Sequence, residues 1–309
     1  MRQQTTDYSR ESRFLKECAE GKAWKATMGN GAIIVTSKNM LCLREGVSIE
    51  GEVIDYYLQS LEKRSNSCVD NPKCRILAVQ YAFGGLFVPA HGLSLEDHYF
   101  KYLWMDNAYM WKEVSFLSVD KVYIPWFTKY TKHWSLVVIN NLQRRFEHYN
   151  SWRKDTTDFA GMRTFIEKFV RWQINNEKIA GRIEATDNPS WAWCIYKPTQ
   201  KKQGKVVPGR VLHEIPGQSG RKMYDCGVFA CMYAKYSSEA GRDPVQWNFT
   251  HEDVPTLRLM MVRDILYFLD QPKDGSQYSP QCVCVEGECQ RARGVNRVEP
   301  GVDTSDDVD

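Results

Sequence analysis

Asp225-Cys226-Gly227, running into Val228-Phe229-Ala230-Cys231-Met232-Tyr233-Ala234, decides how this chain is read. The stretch puts a cysteine where a loop turns into an apolar helix. The unpaired N–H groups and the dipole of a helix N-terminus stabilise a thiolate. A thiol with a pKa of about 8.5 is only a few per cent ionised at neutral pH, so this position raises its reactivity. Taken alone, a cysteine that opens an apolar helix is more often core than nucleophile. The nucleophile reading needs a base, a group to orient it and an oxyanion donor.

The base expected is His133. His133-Trp134-Ser135-Leu136-Val137-Val138-Ile139 is rich in β-branched residues and reads as a strand, and residues 140–143 read as a turn. A second strand follows over residues 144–150. A hairpin turning symmetrically about Asn141-Leu142 pairs Ile139 with Arg144 and His133 with Asn150. Opposed residues on one sheet face have Cβ atoms roughly 4.5–5.5 Å apart, so Asn150 could fix the His133 tautomer and leave the other ring nitrogen for Cys226. A one-residue slip would break this pairing. His148, two residues before Asn150 on the same strand face and expected opposite Ser135, is the rival base. Cys231 is expected in the core.

The 309 residues suffice for one large domain or two small ones, and the abundant Trp and Tyr imply a sizeable core with polar-tipped aromatics. A net charge of +3 gives no argument for nucleic-acid or membrane binding. No N-terminal apolar run resembles a signal peptide, and no stretch is long enough to span a membrane. The ten cysteines are irregularly spaced, which favours reduced thiols and an intracellular protein, nuclear or cytoplasmic. Cys282, Cys284 and Cys289 lack a normally spaced fourth zinc ligand, so no metal site is expected. The basic residues Lys197, Lys201, Lys202 and Lys205 read as a solvated loop.

Residues 1–39 read as a peripheral segment, polar over most of their length with a short strand at 32–35. Helices are expected at 52–61, 94–111, 158–175 and 251–269, and strands at 120–125 and weakly at 206–215. Residues 271–309 are polar and finally acidic and read as a disordered tail. Helices flanking a central antiparallel set of strands make the class α+β, with the functional domain over residues 40–270.

Four segments together resemble the ubiquitin-like-protein-specific cysteine proteases, a papain-like family that includes SUMO-deconjugating enzymes and is related to the adenovirus protease. They are Gly51-Glu52-Val53-Ile54-Asp55-Tyr56-Tyr57-Leu58, Val122-Tyr123-Ile124-Pro125 with His133-Trp134-Ser135-Leu136, Tyr224-Asp225-Cys226-Gly227-Val228-Phe229, and Glu252-Asp253-Val254-Pro255 with Arg258, Met260 and Met261. The resemblance implies Cys226 as nucleophile, His133 as base, and Asn150 where the family carries an orienting aspartate. It implies Gln218 as oxyanion donor, although the 219–224 spacing is slightly long and calls for a small insertion. It also implies Trp134 as a wall of the channel for a Gly-Gly terminus; Trp134 as plain core is the alternative.

The implied activity is hydrolysis of peptide or isopeptide bonds after the C-terminal glycine of a ubiquitin-like modifier, by a monomer needing no cofactor. Two other readings stay open: a non-catalytic module that binds such modifiers, favoured by the neutral Asn150, and an acetyltransferase with a related site. In SUMO-directed members a Trp-Leu-x-Asp segment begins the first helix. Here Ser48, Ile49, Glu50 and Gly51 stand at those positions, so the lid tryptophan and its acid are missing and an atypical modifier preference is expected. Trp24, Trp104 and Trp126 are the candidate replacements.

Overall fold

The β-branched runs around His133 become the centre of a sheet. The structure is a computed structural model that describes residues 7–28, 33–66, 74–76, 115–128, 131–152, 159–196, 198, 211–213, 215–218, 224–240 and 245–269. Its helices are α1 (Ser9–Ala19), α2 (Ser37–Met40), α3 (Gly51–Asn66), α4 (Phe159–Ile179), α5 (Cys226–Ala240) and α6 (Val254–Leu269). Its strands are β1 (Lys25–Met28), β2 (Ile33–Thr36), β3 (Cys74–Ile76), β4 (Lys121–Thr128), β5 (His133–Asn140), β6 (Arg145–Tyr149), β7 (Ala192–Tyr196) and β8 (Val211–His213).

The class is α+β, as expected, but the sheet is mixed. The six strands lie in the order β3-β4-β5-β6-β7-β8. Only β4-β5-β6 is antiparallel; the β3-β4, β6-β7 and β7-β8 pairings are parallel. Parallel neighbours need crossover connections, and α4 lies in the one between β6 and β7. Proline lacks the N–H of a ladder bond. Pro125 sits in β4 beyond the described β3 pairing, which covers Lys121–Tyr123, and is the register partner of Leu136 in β5.

Alternation along the central strands divides the core in two. Tyr123, Leu136, Val138 and Tyr149 face α3, α5 and α6. Val122, Ile124, Val137, Ile139 and Phe146 face α4, which contributes Met162, Ile166, Phe169 and Val170. A strand buried on both faces reads as a continuous apolar run, and β5 does so from Leu136 to Ile139.

Three expectations change. The β5-β6 register pairs Leu136 with Tyr149 and Ile139 with Phe146, two residues from the symmetric hairpin. The connection runs through residues 141–144, with Arg144 at φ 50°, so β6 starts one residue later than expected. His148 consequently lies opposite Val137, not Ser135. Second, residues 1–39 are not peripheral throughout. Leu15, Cys18, Ala26, Ile33 and Val35 are buried in the same core cluster as α3 and α5, and Glu11 pairs with Arg263 of α6 at 2.8 Å. Third, the weak strand expected over 206–215 is β8 among the described residues, and Ile215 lies outside it. The helix expected at 94–111, the basic loop, Trp104, the 271–309 tail and its three cysteines lie outside the described residues. Among the described residues no helix is long and apolar enough to cross a membrane, and no group of three His, Cys, Asp or Glu side chains could hold a metal ion.

Candidate active site

Cys226 is the first residue of α5, and the first helical hydrogen bond runs from Phe229 N–H to the Asp225 carbonyl at 3.1 Å. Gly227 follows because the space is taken. A Cβ there would stand 3.0 Å from Ile49 Cβ and 3.2 Å from Ile54 Cδ1. Close packing of α3 against α5 therefore requires glycine beside the cysteine. Cys226 is 2% exposed. Burial pushes its thiol above the ordinary range, while hydrogen bonding from the N–H groups of Trp134, Gly227 and its own backbone pulls the other way and Asp225 adds to the rise. The helix N-terminus thus does not make this thiol acidic in the isolated chain. The expected activation by the helix end is outweighed by desolvation.

His133 opens β5 and is fully buried. Its Nε2 lies 2.8 Å from Asn150 Oδ1. Because of the two-residue shift, His133 and Asn150 are diagonal neighbours. Diagonal residues share a sheet face, and an even shift preserves that sharing, so the contact forms although the register differs. The same Oδ1 accepts the Trp152 N–H at 2.9 Å. A backbone N–H can only donate, so this bond fixes which end of the Asn150 amide faces the ring. His133 Nε2 must then carry the proton. Nδ1 is left with its lone pair, buried and without a hydrogen-bond partner among the described residues. Burial lowers the His133 pKa below its usual 6.5, against a smaller raising effect of the Asn150 contact. Both groups are accordingly neutral at pH 7. His148 is buried too, with its ring 5.7 Å from that of Phe159 on the α4 side of the sheet.

Gln218 is buried, at 7% exposure. Its backbone N–H donates to the Ser151 carbonyl at 3.0 Å, and its Nε2 lies 2.9 Å from Ser151 Oγ. Ser151 directly follows Asn150, so the orienting residue and the oxyanion candidate are anchored by one short segment. Gly217 permits this approach, since a Cβ there would run into the Pro198 ring and stand 2.8 Å from the Ser151 carbonyl oxygen. The other end of the Gln218 amide, Oε1, is buried without a hydrogen-bond partner among the described residues. Ser151 Oγ can donate or accept, so the amide can present its NH2 at that end. The insertion expected over 219–224 lies mostly outside the described residues.

Trp134 touches both cores and packs against Phe127 with ring centroids 4.7 Å apart and planes tilted by 42°. Its backbone N–H is one of the groups held against the Cys226 thiol. Neither described tryptophan proposed for the lid is available: Trp24 packs on Phe14 at 5.3 Å and Trp126 is 8% exposed in the second core. Ser48 is exposed and Ile49 buried. The Glu50 carboxylate takes a hydrogen bond from Asn39 Nδ2 at 2.7 Å. Sequence reasoning missed Trp152 and Ser151 and gave no role to Tyr224, which stands two residues before the cysteine at 44% exposure.

On an α+β fold, a helix-initial cysteine, a buried histidine and a carboxamide just past the end of β6 make a candidate cysteine-nucleophile site. The model of the Ulp1 protease family, C-terminal catalytic domain, matches residues 96–272. That is more than half of the chain, and the chain belongs to this family. A sentrin-specific protease of Caenorhabditis elegans is 22% identical over 256 residues, covering 79% of this chain and 30% of the relative. The ubiquitin-like-specific protease ESD4 of Arabidopsis thaliana is 23% identical over 255 residues, covering 78% of this chain and 42% of the relative. The chain thus spans under half the length of these two relatives. Among solved structures, the C-terminal Ulp1 protease domain in complex with Smt3, the yeast ortholog of SUMO, has a TM-score of 0.58 at 14% identity, covering 85% of this chain and 96% of that one. The catalytic domain of the Ulp1-like SUMO protease of Chaetomium thermophilum has a TM-score of 0.57 at 18% identity, covering 84% and 89%. At these identities the structures speak for the fold.

Proposed function

We propose that this protein is a cysteine peptidase that hydrolyses peptide or isopeptide bonds after the C-terminal glycine of a ubiquitin-like modifier. The observation that carries the reading is the His133–Asn150 contact of 2.8 Å, with the Asn150 amide oriented by Trp152. It leaves an acceptor nitrogen on a buried base in a chain of the Ulp1 protease family. In this mechanism His133 Nδ1 takes the Cys226 proton as the sulfur attacks the glycine carbonyl carbon. The oxyanion is held by the Cys226 backbone N–H and the Gln218 amide. The imidazolium then protonates the leaving amine, and water, deprotonated by His133, releases the glycine carboxylate from the thioester. Trp134 lines the channel for the modifier's tail.

Asn150 replaces the charge of an aspartate with geometry. It holds the tautomer but does not stabilise the imidazolium by charge, which predicts a slower chemical step rather than none. The binding-module reading takes Asn150 as decay, yet its two hydrogen bonds are those an orienting residue needs. The acetyltransferase reading has no support from the family or the relatives. The test is a panel of SUMO, NEDD8 and ubiquitin probes with a reactive C-terminus. Covalent capture at Cys226 and turnover of the matching reporter are expected. Reversible binding without capture would return the protein to the binding class.

A further inference from the structure

Arg258 of α6 is among the largest fully buried side chains described, at 1% exposure. Nη1 donates to the carbonyls of Cys42 at 2.9 Å and Arg44 at 3.0 Å. Nη2 donates to the carbonyls of Val47 at 2.8 Å and Tyr224 at 3.2 Å, and to Asp225 Oδ1 at 2.7 Å. One guanidinium therefore ties the segment leading into α3 to the two residues before Cys226. The carbonyls offer dipoles only, so Asp225 is its counter-ion. A buried permanent charge is costly, and an apolar side chain could fill the same space without that cost. Its place, one ion pair away from the nucleophile, calls for a use.

We propose that Arg258 is a positioning residue for the nucleophile: it fixes the Asp225 turn that aims Cys226 and cancels the Asp225 charge at the thiolate. The proposal rests on Cys226 being the nucleophile. Its geometric half follows from the contacts. With Tyr224 and Asp225 held at one end and residues 42–47 at the other, Ile49 is pressed against Gly227 and the start of α5 cannot tilt. Its electrostatic half follows from chain order. Asp225 precedes the thiol directly in the chain and its charge disfavours the thiolate; a guanidinium at 2.7 Å offsets that field. From β5, the Trp134 N–H is held against the thiol. From α3 and the segment before it, Ile49 and Ile54 meet Gly227, and Glu50 is turned toward Asn39.

The test follows the pH dependence of Cys226 alkylation by iodoacetamide in the full chain, read by mass on the peptide that carries it, with urea unfolding of every variant. Asp225→Asn removes the carboxylate and leaves the guanidinium, so the alkylation midpoint should fall. Arg258→Met does the reverse, and the midpoint should rise. Each shift should be about one pH unit, or tenfold in rate below the midpoint. Arg258→Lys should recover most of the midpoint, and Asp225→Asn with Arg258→Met should return it toward the parent. Unmoved midpoints in variants with cooperative unfolding, or shifts of one sign in both single variants, would overturn the proposal. Should Arg258→Met lack an unfolding transition, the direction of the Asp225→Asn shift decides alone. Hydrolysis of a modifier reporter is measured beside it. Shifted midpoints without parent hydrolysis remove the peptidase reading and keep Arg258; hydrolysis with unmoved midpoints does the opposite.

Discussion

Replacing Asn150 by aspartate asks whether a neutral group orients His133 by geometry alone. The parent contact is 2.8 Å between His133 Nε2 and Asn150 Oδ1. A carboxylate in that place puts a negative charge about 4 Å from the centre of the imidazolium. At an effective dielectric of about 20 the attraction is of order 4 kcal/mol, reduced by the cost of burying the carboxylate. Opposite charges at this range move a pKa by about one to three units. The assay is an NMR titration of the His133 ring in a Cys226→Ala background, which removes the coupled thiol. The His133 midpoint should rise by that amount on Asn150→Asp. Stability gives a second reading. In the parent, burial lowers the folded His133 pKa below its ordinary 6.5, so the unfolded chain binds more protons and the His133 contribution is lost as pH falls below about 6.5. In the variant the folded value should exceed the unfolded one, and the same contribution should be lost as pH rises through it. An unmoved or lowered His133 midpoint would refute both the contact and the reasoning from it.

Cys226→Ala should abolish probe capture and hydrolysis with an unchanged urea midpoint; residual turnover would move the nucleophile elsewhere. Gln218→Ala should cut kcat by about 10²–10³, the usual cost of one oxyanion donor, and an unchanged kcat would dismiss its role. Gly227→Ala should destabilise by about 1–3 kcal/mol through overpacking, because its Cβ would stand 3.0 Å from Ile49 in a site without slack; chemical denaturation measures this. Ser48→Trp should raise kcat/KM on a SUMO reporter by about tenfold or more, since an interfacial tryptophan commonly contributes 2 kcal/mol or more. A strong SUMO preference in the parent that this change fails to improve would undo the reading of the missing lid.

The parts legible in the sequence were those with local signatures. The helix start at Cys226, the strand of His133 and the apolar face of α4 each declare themselves within a few residues. The hairpin register did not, because it depends on Arg144 adopting φ 50°, for which no glycine gives warning. Asn150 was found only because the error was an even number of residues. The burial of Leu15, Cys18, Ala26, Ile33 and Val35 escaped notice since each short element contributes one or two apolar side chains to a core built elsewhere. Trp152 acts through its backbone N–H, which no residue identity encodes. Gln218 was placed by spacing from the cysteine, whereas its anchor, Ser151, lies 67 positions away. The expected acidity of the thiol failed because a sequence shows the helix end but not the burial that outweighs it.

The contacts of Arg258 also set a schedule. They join Cys42 and Arg44 to a residue 216 and 214 positions later. At a synthesis rate of about 5–20 residues per second, the early segment waits on the order of 10–40 s for its partner to be made. The cysteine, the histidine and the asparagine all emerge before α6 does. A ribosome-bound chain therefore carries every reactive group without the brace that seats them, and peptidase competence should arrive as one late event when α6 docks.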